Sequence, residues 1–348
     1  LLHGDEVHRN DLDHSTAGGW TAEDLTEKMI EDPRVNKAVA ELLSNAIYFH
    51  HGIGDCINLK TGELVTEQRR RKEIAYEEIA QRFFQIYDRN ILEEKCVDLR
   101  KAYLQIDKKI AVFKRKYNMT KNNCGNPYLY MGMYLRVLLS LLIDADWTDT
   151  ACFFQNEPLK TRIPSEEMQR IWEKTTLYFE NYLATEVQRN PDNGSVLNQI
   201  RQKISETCRD AAKTEENLYR LTVPTGAGKT LSSLRFALHH AKEKKKQHIF
   251  YVAPFNAILE QNAEEIRKAT GNPEIVLEHH CNVVCEEGEE EKYRSLTETW
   301  DVPIIVTTAV QMLNTLFSDR KSSIRRIHTL CNSIIIFDEV QAIPVRCM

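Results

Sequence analysis

The sequence predicts a multidomain chain, all-helical in its first half and α/β in its second, where a parallel sheet is covered on both faces. Three observations predict it. At 348 residues the chain exceeds what one hydrophobic core usually organises. Up to about residue 150 its apolar residues recur at spacings of three and four, the period of an amphipathic helix. From Leu218 onward the texture changes to short, continuously apolar runs separated by helical stretches, the pattern of parallel strands buried on both faces. The expected division is a helical domain over 1–154, a helical connection over 155–215 and a parallel-sheet domain over 216–348.

Residues 34–49 carry Val35, Val39, Leu42, Leu43, Ala46 and Ile47 on one helical face and run into His50-His51-Gly52. From 67 to 117, Ile74, Ile79, Phe83, Ile86, Ile91, Leu92, Leu99 and Leu104 predict two or three helices packed by one face. A turn cluster at 122–127 precedes YLYMGMYLRVLLSLLIDAD (128–146), expected as the core helix of the first domain. Pro, Asn and Gly punctuate 155–164 and 189–195, and the polar helices 166–188 and 196–213 belong to the connection. In the second half, 249–253, 304–308 and 333–337 read as strands, with helices at 256–269 and 310–317. The Glu-rich stretch 285–293 reads as a solvated loop, and the lysine run 242–246 as a solvated helix end.

Charged residues are 28% and hydrophobic ones 42% of the chain, as in ordinary globular proteins. No apolar run reaches the roughly 18 residues of a membrane span, so none is expected. The opening LLHGDEVHRND lacks the basic start and apolar centre of a signal peptide. Nine irregularly spaced cysteines predict reduced thiols and a cytoplasmic location rather than a disulfide framework. A net charge of −5 excludes a uniformly basic nucleic-acid binder but leaves room for a local basic groove.

The stretch that organises the second half is LYRLTVPTGAGKTL, 218–231. An apolar alternation (Leu221, Val223) stops at Pro224, passes through Thr225, Gly226, Ala227 and Gly228, and meets Lys229-Thr230 at the start of a helical run. Strand, glycine-rich turn and helix in that order suit a phosphate-binding loop. Backbone N–H groups and the helix N-terminus face the phosphates, Lys229 supplies charge, and the Thr230 hydroxyl is a Mg²⁺ ligand. Asp338-Glu339 follows the strand at 333–337, and parallel sheets bind ligands at the carboxyl ends of their strands. Beside a phosphate loop, Asp338 has the chemistry to hold Mg²⁺ of ATP, and Glu339 to orient the attacking water.

The helical half offers a second site. The turn chemistry of Asp13-His14-Ser15-Thr16-Ala17-Gly18 places it before a helix, His50-His51 closes the next, and Asp144-Ala145-Asp146-Trp147 ends the core helix. Imidazoles and a carboxylate converging from several helices suit borderline divalent metals. His279-His280-Cys281 with Cys285 is weaker as a zinc set, because no second pair stands at a usual distance.

PTGAGKT, YVAPFNAILEQ, VTTAVQMLNTLF and DEVQ resemble motifs I, Ia, Ib and II of a superfamily 2 helicase, a group whose phosphate loop does without the first glycine, here Val223. Gln341 stands where the last letter of DEAD or DEAH is usual. DHSTAGG, HHG and DADW resemble an HD-type metal-dependent phosphohydrolase, and the combination resembles the CRISPR-associated nuclease–helicase of type I systems. The resemblance implies an HD domain followed by the first RecA-like lobe. It implies translocation on ATP with Mg²⁺ and cleavage of single-stranded DNA with transition metals (Mn, Fe, Co or Ni class). It also implies recruitment by an RNA-guided surveillance complex. Carried over by motif, His14, His50, His51 and Asp146 are metal ligands, with Asp144 the lesser choice. EHHCN corresponds to a loop near nucleic acid. The family has an earlier His and a His-Asp pair before DHSTAGG, and a second RecA-like lobe after motif II. The sequence is accordingly expected to be an internal piece of a longer protein, weakly active alone. Two alternatives stay open: a translocase whose helical half only docks partners, and a non-catalytic DNA- or complex-binding fragment.

Overall fold

The structure is a computed structural model that describes residues 13–27, 32–53, 57–120, 126–155, 162–189, 194–281 and 290–343. Two compact units emerge, one of Leu1–Ala151 with Asp319–Arg325, the other of Cys152–Ser318 with Arg326–Met348.

The first unit is helical: α1 (His14–Glu27), α2 (Pro33–Tyr48), α3 (Val65–Arg70), α4 (Tyr76–Ile86), α5 (Arg89–Lys116) and α6 (Pro127–Gln155). Asp32 caps α2 by accepting from Arg34 N at 3.0 Å, with Pro33 in the first turn where its missing N–H costs nothing. Helices α1 and α2 lie against one another with Leu25, Val39, Leu42 and Ala46 buried. Gly19 permits this approach, since a Cβ there would stand 2.0 Å from Tyr48 Cε1. Of α5 only Cys96 and Arg100 are buried, and Arg100 Nε donates to Asn36 Oδ1 at 3.1 Å.

The expected core helix is corrected in part. α6 buries Leu139, Ser140 and Ile143, while Tyr128 is 82% exposed. A helix apolar all round covers only the stripe its neighbours reach, and here the centre is the α1–α2 pair. By length and composition alone, Pro127–Phe154 is long and apolar enough to cross a membrane, a test that core helices of globular proteins also pass.

The second unit holds α7 (Ser165–Arg189), α8 (Val196–Ala211), α9 (Lys229–Glu243), β1 (Ile249–Ala253), α10 (Asn256–Thr270), β2 (Val276–His279), α11 (Glu290–Thr299), β3 (Ile304–Thr308), α12 (Ala309–Phe317) and β4 (Ile334–Phe337). The sheet is parallel throughout in the order β2-β3-β1-β4, with Ile249 opposite both Ile304 and Ile334. Alternate residues of β1 point to different layers. Ile249, Tyr251 and Ala253 meet Leu234, Leu238, Leu259 and Ile266, while Phe250 and Val252 meet Trp300, Val302 and Met312. Both faces are thus covered, as the continuous apolar runs require.

Three expectations are corrected here. Helices α7 and α8 do more than connect: Met168, Trp172 and Phe179 are buried against α9 and the sheet, and Trp172 Nε1 donates to Lys246 O at 2.7 Å. Their polar composition hid a narrow apolar stripe. The stretch 218–223 does not form a strand, and β4 is an edge whose Ile335 and Phe337 remain 39% and 41% exposed. Tyr219, Arg220 and Thr222 deny that stretch the two apolar faces that drive the other strands inward. Finally, Val276–His279 is a strand that takes in the first two residues of EHHCN, expected as a loop. Its Glu278 and His279 mask the apolar signal, and burial of His279 is bought with a hydrogen bond from Trp300 Nε1 to Nδ1 at 2.9 Å.

Candidate functional site

In the sheet unit, Pro224, Thr225, Gly226 and Ala227 make a turn closed by Ala227 N donating to Pro224 O at 3.3 Å. Gly226 and Gly228 have φ of 79° and 77°, the left-handed region where side chains are strained, so these two glycines set the turn. Gly228 is the N-cap of α9 and offers no side chain, leaving the first amides of the helix to face a ligand. Arg201, on α8, donates from Nε to Gly226 O at 2.8 Å and braces the loop from behind. Sequence reading missed this residue, because nothing local links it to a loop 25 positions away.

Lys229 Nζ pairs with Glu339, and Gln341 also donates to that carboxylate. The hydrogen bond to Glu339 raises the Lys229 pKa, and the reciprocal bond lowers that of Glu339, so both stay charged. Asp338 accepts from Tyr251 OH at 3.1 Å, and Glu339 N donates to Asp338 Oδ1 at 3.0 Å. Burial, then the Asp338 charge, pushes the Tyr251 phenol up, which keeps it a donor. Thr230 Oγ1 donates to Asn262 Oδ1 at 3.2 Å. A cavity of about 480 Å³ is lined by Lys229, Asp338, Glu339 and Gln341, and by Tyr219 and Phe236. That volume lies in the range of small-ligand sites.

In the helical unit, Asp13 caps α1 by accepting from Thr16 N at 3.0 Å, which places His14 at the first turn. His50 and His51 follow the end of α2: Phe49 N still bonds to Asn45 O, but His50 N turns back to Ile47 O. Because the helix has ended, the two neighbours converge instead of diverging. One ligand atom from each of His14, His50 and His51 lies within 4.8 Å of the others. His14 Nε2 stands 2.6 Å from His51 Nε2 and 3.4 Å from His50 Nε2. His50 Nδ1 lies 2.6 Å from Ile47 O, which holds the proton there and leaves Nε2 as a lone-pair donor. Burial, then His50 and His14, lowers the His51 pKa and favours the ligating neutral form. Three imidazoles this close, with His50 offering its Nε2 lone pair, fit a divalent transition metal. Asp146 is exposed and outside that trio, and acts on His51 through its charge. Asp144 instead accepts from Arg325 Nε at 2.8 Å.

A layer behind the imidazoles escaped sequence reading. Arg69 Nη1 donates to Asp13 Oδ1, Ser15 Oγ and Thr16 Oγ1 at 3.0, 3.0 and 2.9 Å, and Lys72 also pairs with Asp13. Burial alone would raise Asp13, but hydrogen bonds from Lys72, Thr16 and Ser15 hold it well below the usual carboxylate range. The suggested zinc set is not assembled among the described residues: His279 spends Nδ1 on Trp300, His280 lies 2.9 Å from Glu278, and Cys285 is outside them.

Residues 187–342 match the family model described as type III restriction enzyme, res subunit. No curated protein matches the sequence. Two solved structures of Cas3 from T. fusca, with ATP and with AMPPNP, are similar at 16% and 15% identity and TM-scores of 0.50 and 0.48. Each likeness covers 98% of this chain and 37% of the solved one, so the chain spans little more than a third of their length. The fold is thus a helical domain followed by a RecA-like parallel-sheet lobe. Its architecture is Cas3-like.

Proposed function

We propose that this chain is the nuclease and first-lobe portion of an ATP-driven DNA translocase that degrades single-stranded DNA in CRISPR defence, in the cytoplasm, recruited by an RNA-guided surveillance complex. The observation that carries the reading is Lys229 facing the Asp338-Glu339 pair across a cavity at the strand ends. With ATP bound, the phosphates replace Glu339 as the partner of Lys229. Glu339 would then be free to orient the attacking water, while Thr230 and Asp338 would hold Mg²⁺. Gly226 to Lys229 present backbone N–H groups to the β- and γ-phosphates, and Tyr251 keeps the Asp338 carboxylate turned toward the cavity.

In the helical unit, His14, His50 and His51 would hold a divalent transition metal of the Mn, Fe, Co or Ni class, with Asp146 completing the set. Such a metal supplies a water of lowered pKa and charge stabilisation at the scissile phosphate. His50 is held to Ile47 O in the tautomer that ligates through Nε2, and Asp13 fixes the turn that carries His14.

The test uses two readouts. Lys229→Ala deletes a charge-assisted contact of about 1.5–3 kcal/mol, so ATP affinity by calorimetry is expected to fall about 10- to 150-fold. His50→Ala and His51→Ala are each expected to lower Mn²⁺ uptake and cleavage of single-stranded DNA. Unchanged ATP affinity removes the phosphate-loop assignment, and unchanged metal uptake in both histidine variants removes the nuclease.

A further inference from the structure

The segment Asp319–Arg325 belongs to the compact helical unit, although Ser318 before it and Arg326 after it belong to the sheet unit. It contains a short helix, α13 (Lys321–Ile324), and ends on Arg325, directly before Arg326, and the two arginines have different tasks. Arg325 grips α6: Nε donates to Asp144 Oδ1 at 2.8 Å and Nη2 to Thr148 Oγ1 at 3.2 Å. Its guanidinium carbon lies 5.4 Å from the Trp147 ring centroid, and its carbonyl accepts from the buried Ser140 Oγ at 2.8 Å. The Arg325 and Asp144 side chains are only 12% and 14% exposed, so this pair is largely shielded. Arg326 is held just as firmly within the sheet unit, by Thr315 Oγ1, Thr297 O and Gln311 Oε1, over the Trp300 ring.

The residues that Arg325 holds are spaced to define a rotation. Asp144, Trp147 and Thr148 share one face of α6, and Asp146 is about 200° from Asp144 around the helix. Gripping the first face therefore turns the Asp146 face away from Arg325. Asp146 itself is exposed.

We propose that Arg325 is a positioning residue of the metal site: by fixing the rotation of α6 it presents Asp146 to the histidine trio. It is supplied by a stretch whose two chain neighbours are anchored in the ATP-binding unit. The inference rests on the nuclease reading of that trio. Residues that orient a ligand typically change metal affinity by about 10- to 100-fold when removed.

The experiment titrates Mn²⁺ into the full 348-residue chain, comparing parent, Arg325→Ala, Arg325→Gln and His51→Ala, with thermal unfolding measured on each. The expected result is a 10- to 100-fold weaker Mn²⁺ affinity in Arg325→Ala at a nearly parental melting temperature. Arg325→Gln keeps part of the stem and a donor amide but loses the charge and the fork. It is the deciding variant if Arg325→Ala does not fold, with at least a tenfold loss expected. Parental affinity in a folded Arg325 variant, beside a loss in His51→Ala, overturns this inference alone. A parent that takes up no Mn²⁺ overturns the nuclease reading and this inference with it.

Discussion

Gly19→Ala is the sharpest probe of how the histidine trio is assembled. In an isolated helix the change stabilises by about 1 kcal/mol, because alanine loses less backbone freedom. Here the new Cβ would lie 2.0 Å from Tyr48 Cε1, where ordinary contact begins at 3.4 Å. Tyr48 is 3% exposed, near Glu23 through its hydroxyl at 3.4 Å and under Arg69 at 5.7 Å, so the ring has little room to yield. The helices must part instead, and overpacking of this kind costs about 1–3 kcal/mol. Taking the upper end for so close an approach, and subtracting the helical gain, leaves a net loss of ~2 kcal/mol. For a unit of this size that lowers the melting midpoint by about 4–8 °C. Gly18→Ala is the internal control, since its Cβ would meet Ile47 Cγ2 at a milder 3.0 Å. Parting α1 from α2 also separates His14 from His50 and His51, so metal uptake should fall with the midpoint. A Gly19→Ala protein as stable as the parent would show that the two helices do not touch at this point.

Two further outcomes test the sheet unit. Trp172→Ala empties a fully buried site and orphans the Lys246 carbonyl, so denaturant unfolding should report a loss of about 3–5 kcal/mol; a loss below about 1 kcal/mol would make α7 peripheral. Burial, then the nearby Arg326 and His280, lowers the His279 pKa from 6.5 to about 3. Its folded pKa lies below its unfolded one, so its stabilisation is complete above pH 6.5 and is lost as pH falls toward 3. His279→Gln should therefore flatten the decline in unfolding free energy between about pH 7 and about pH 4, and parallel curves for parent and variant would discard this account.

How much could be read in advance depends on how far each signal travels along the chain. The glycine turn before α9 was legible because its conformation is local: two left-handed positions need glycine, and Lys229-Thr230 follows at once. The histidines were legible as residue types, and the convergence of His50 with His51 followed from the helix ending there. Their support was not, since Arg69 reaches Asp13 from 56 positions away and Arg325 reaches Asp144 from 181. Neither arginine differs locally from any other surface-type residue. The stretch 218–223 shows the opposite failure: its alternation was a sound local sign of a strand, and the tertiary surroundings overrode it. β2 was missed because an acidic residue and a histidine sit in a strand of only four residues.

The free edge of β4 has a consequence for how the phosphate loop is held. A loop suspended between a strand and a helix is clamped at both ends before any ligand arrives. Here α9 clamps one end, and the other continues into a tether outside the sheet, with Arg201 as the brace on Gly226. That segment is fixed by side chains rather than by a ladder: Tyr219 OH donates to Thr214 O at 3.1 Å, and its ring centroid lies 4.6 Å from that of Phe236 on α9. The position of the turn therefore depends on a few side-chain contacts, which single substitutions at Tyr219 or Arg201 would remove.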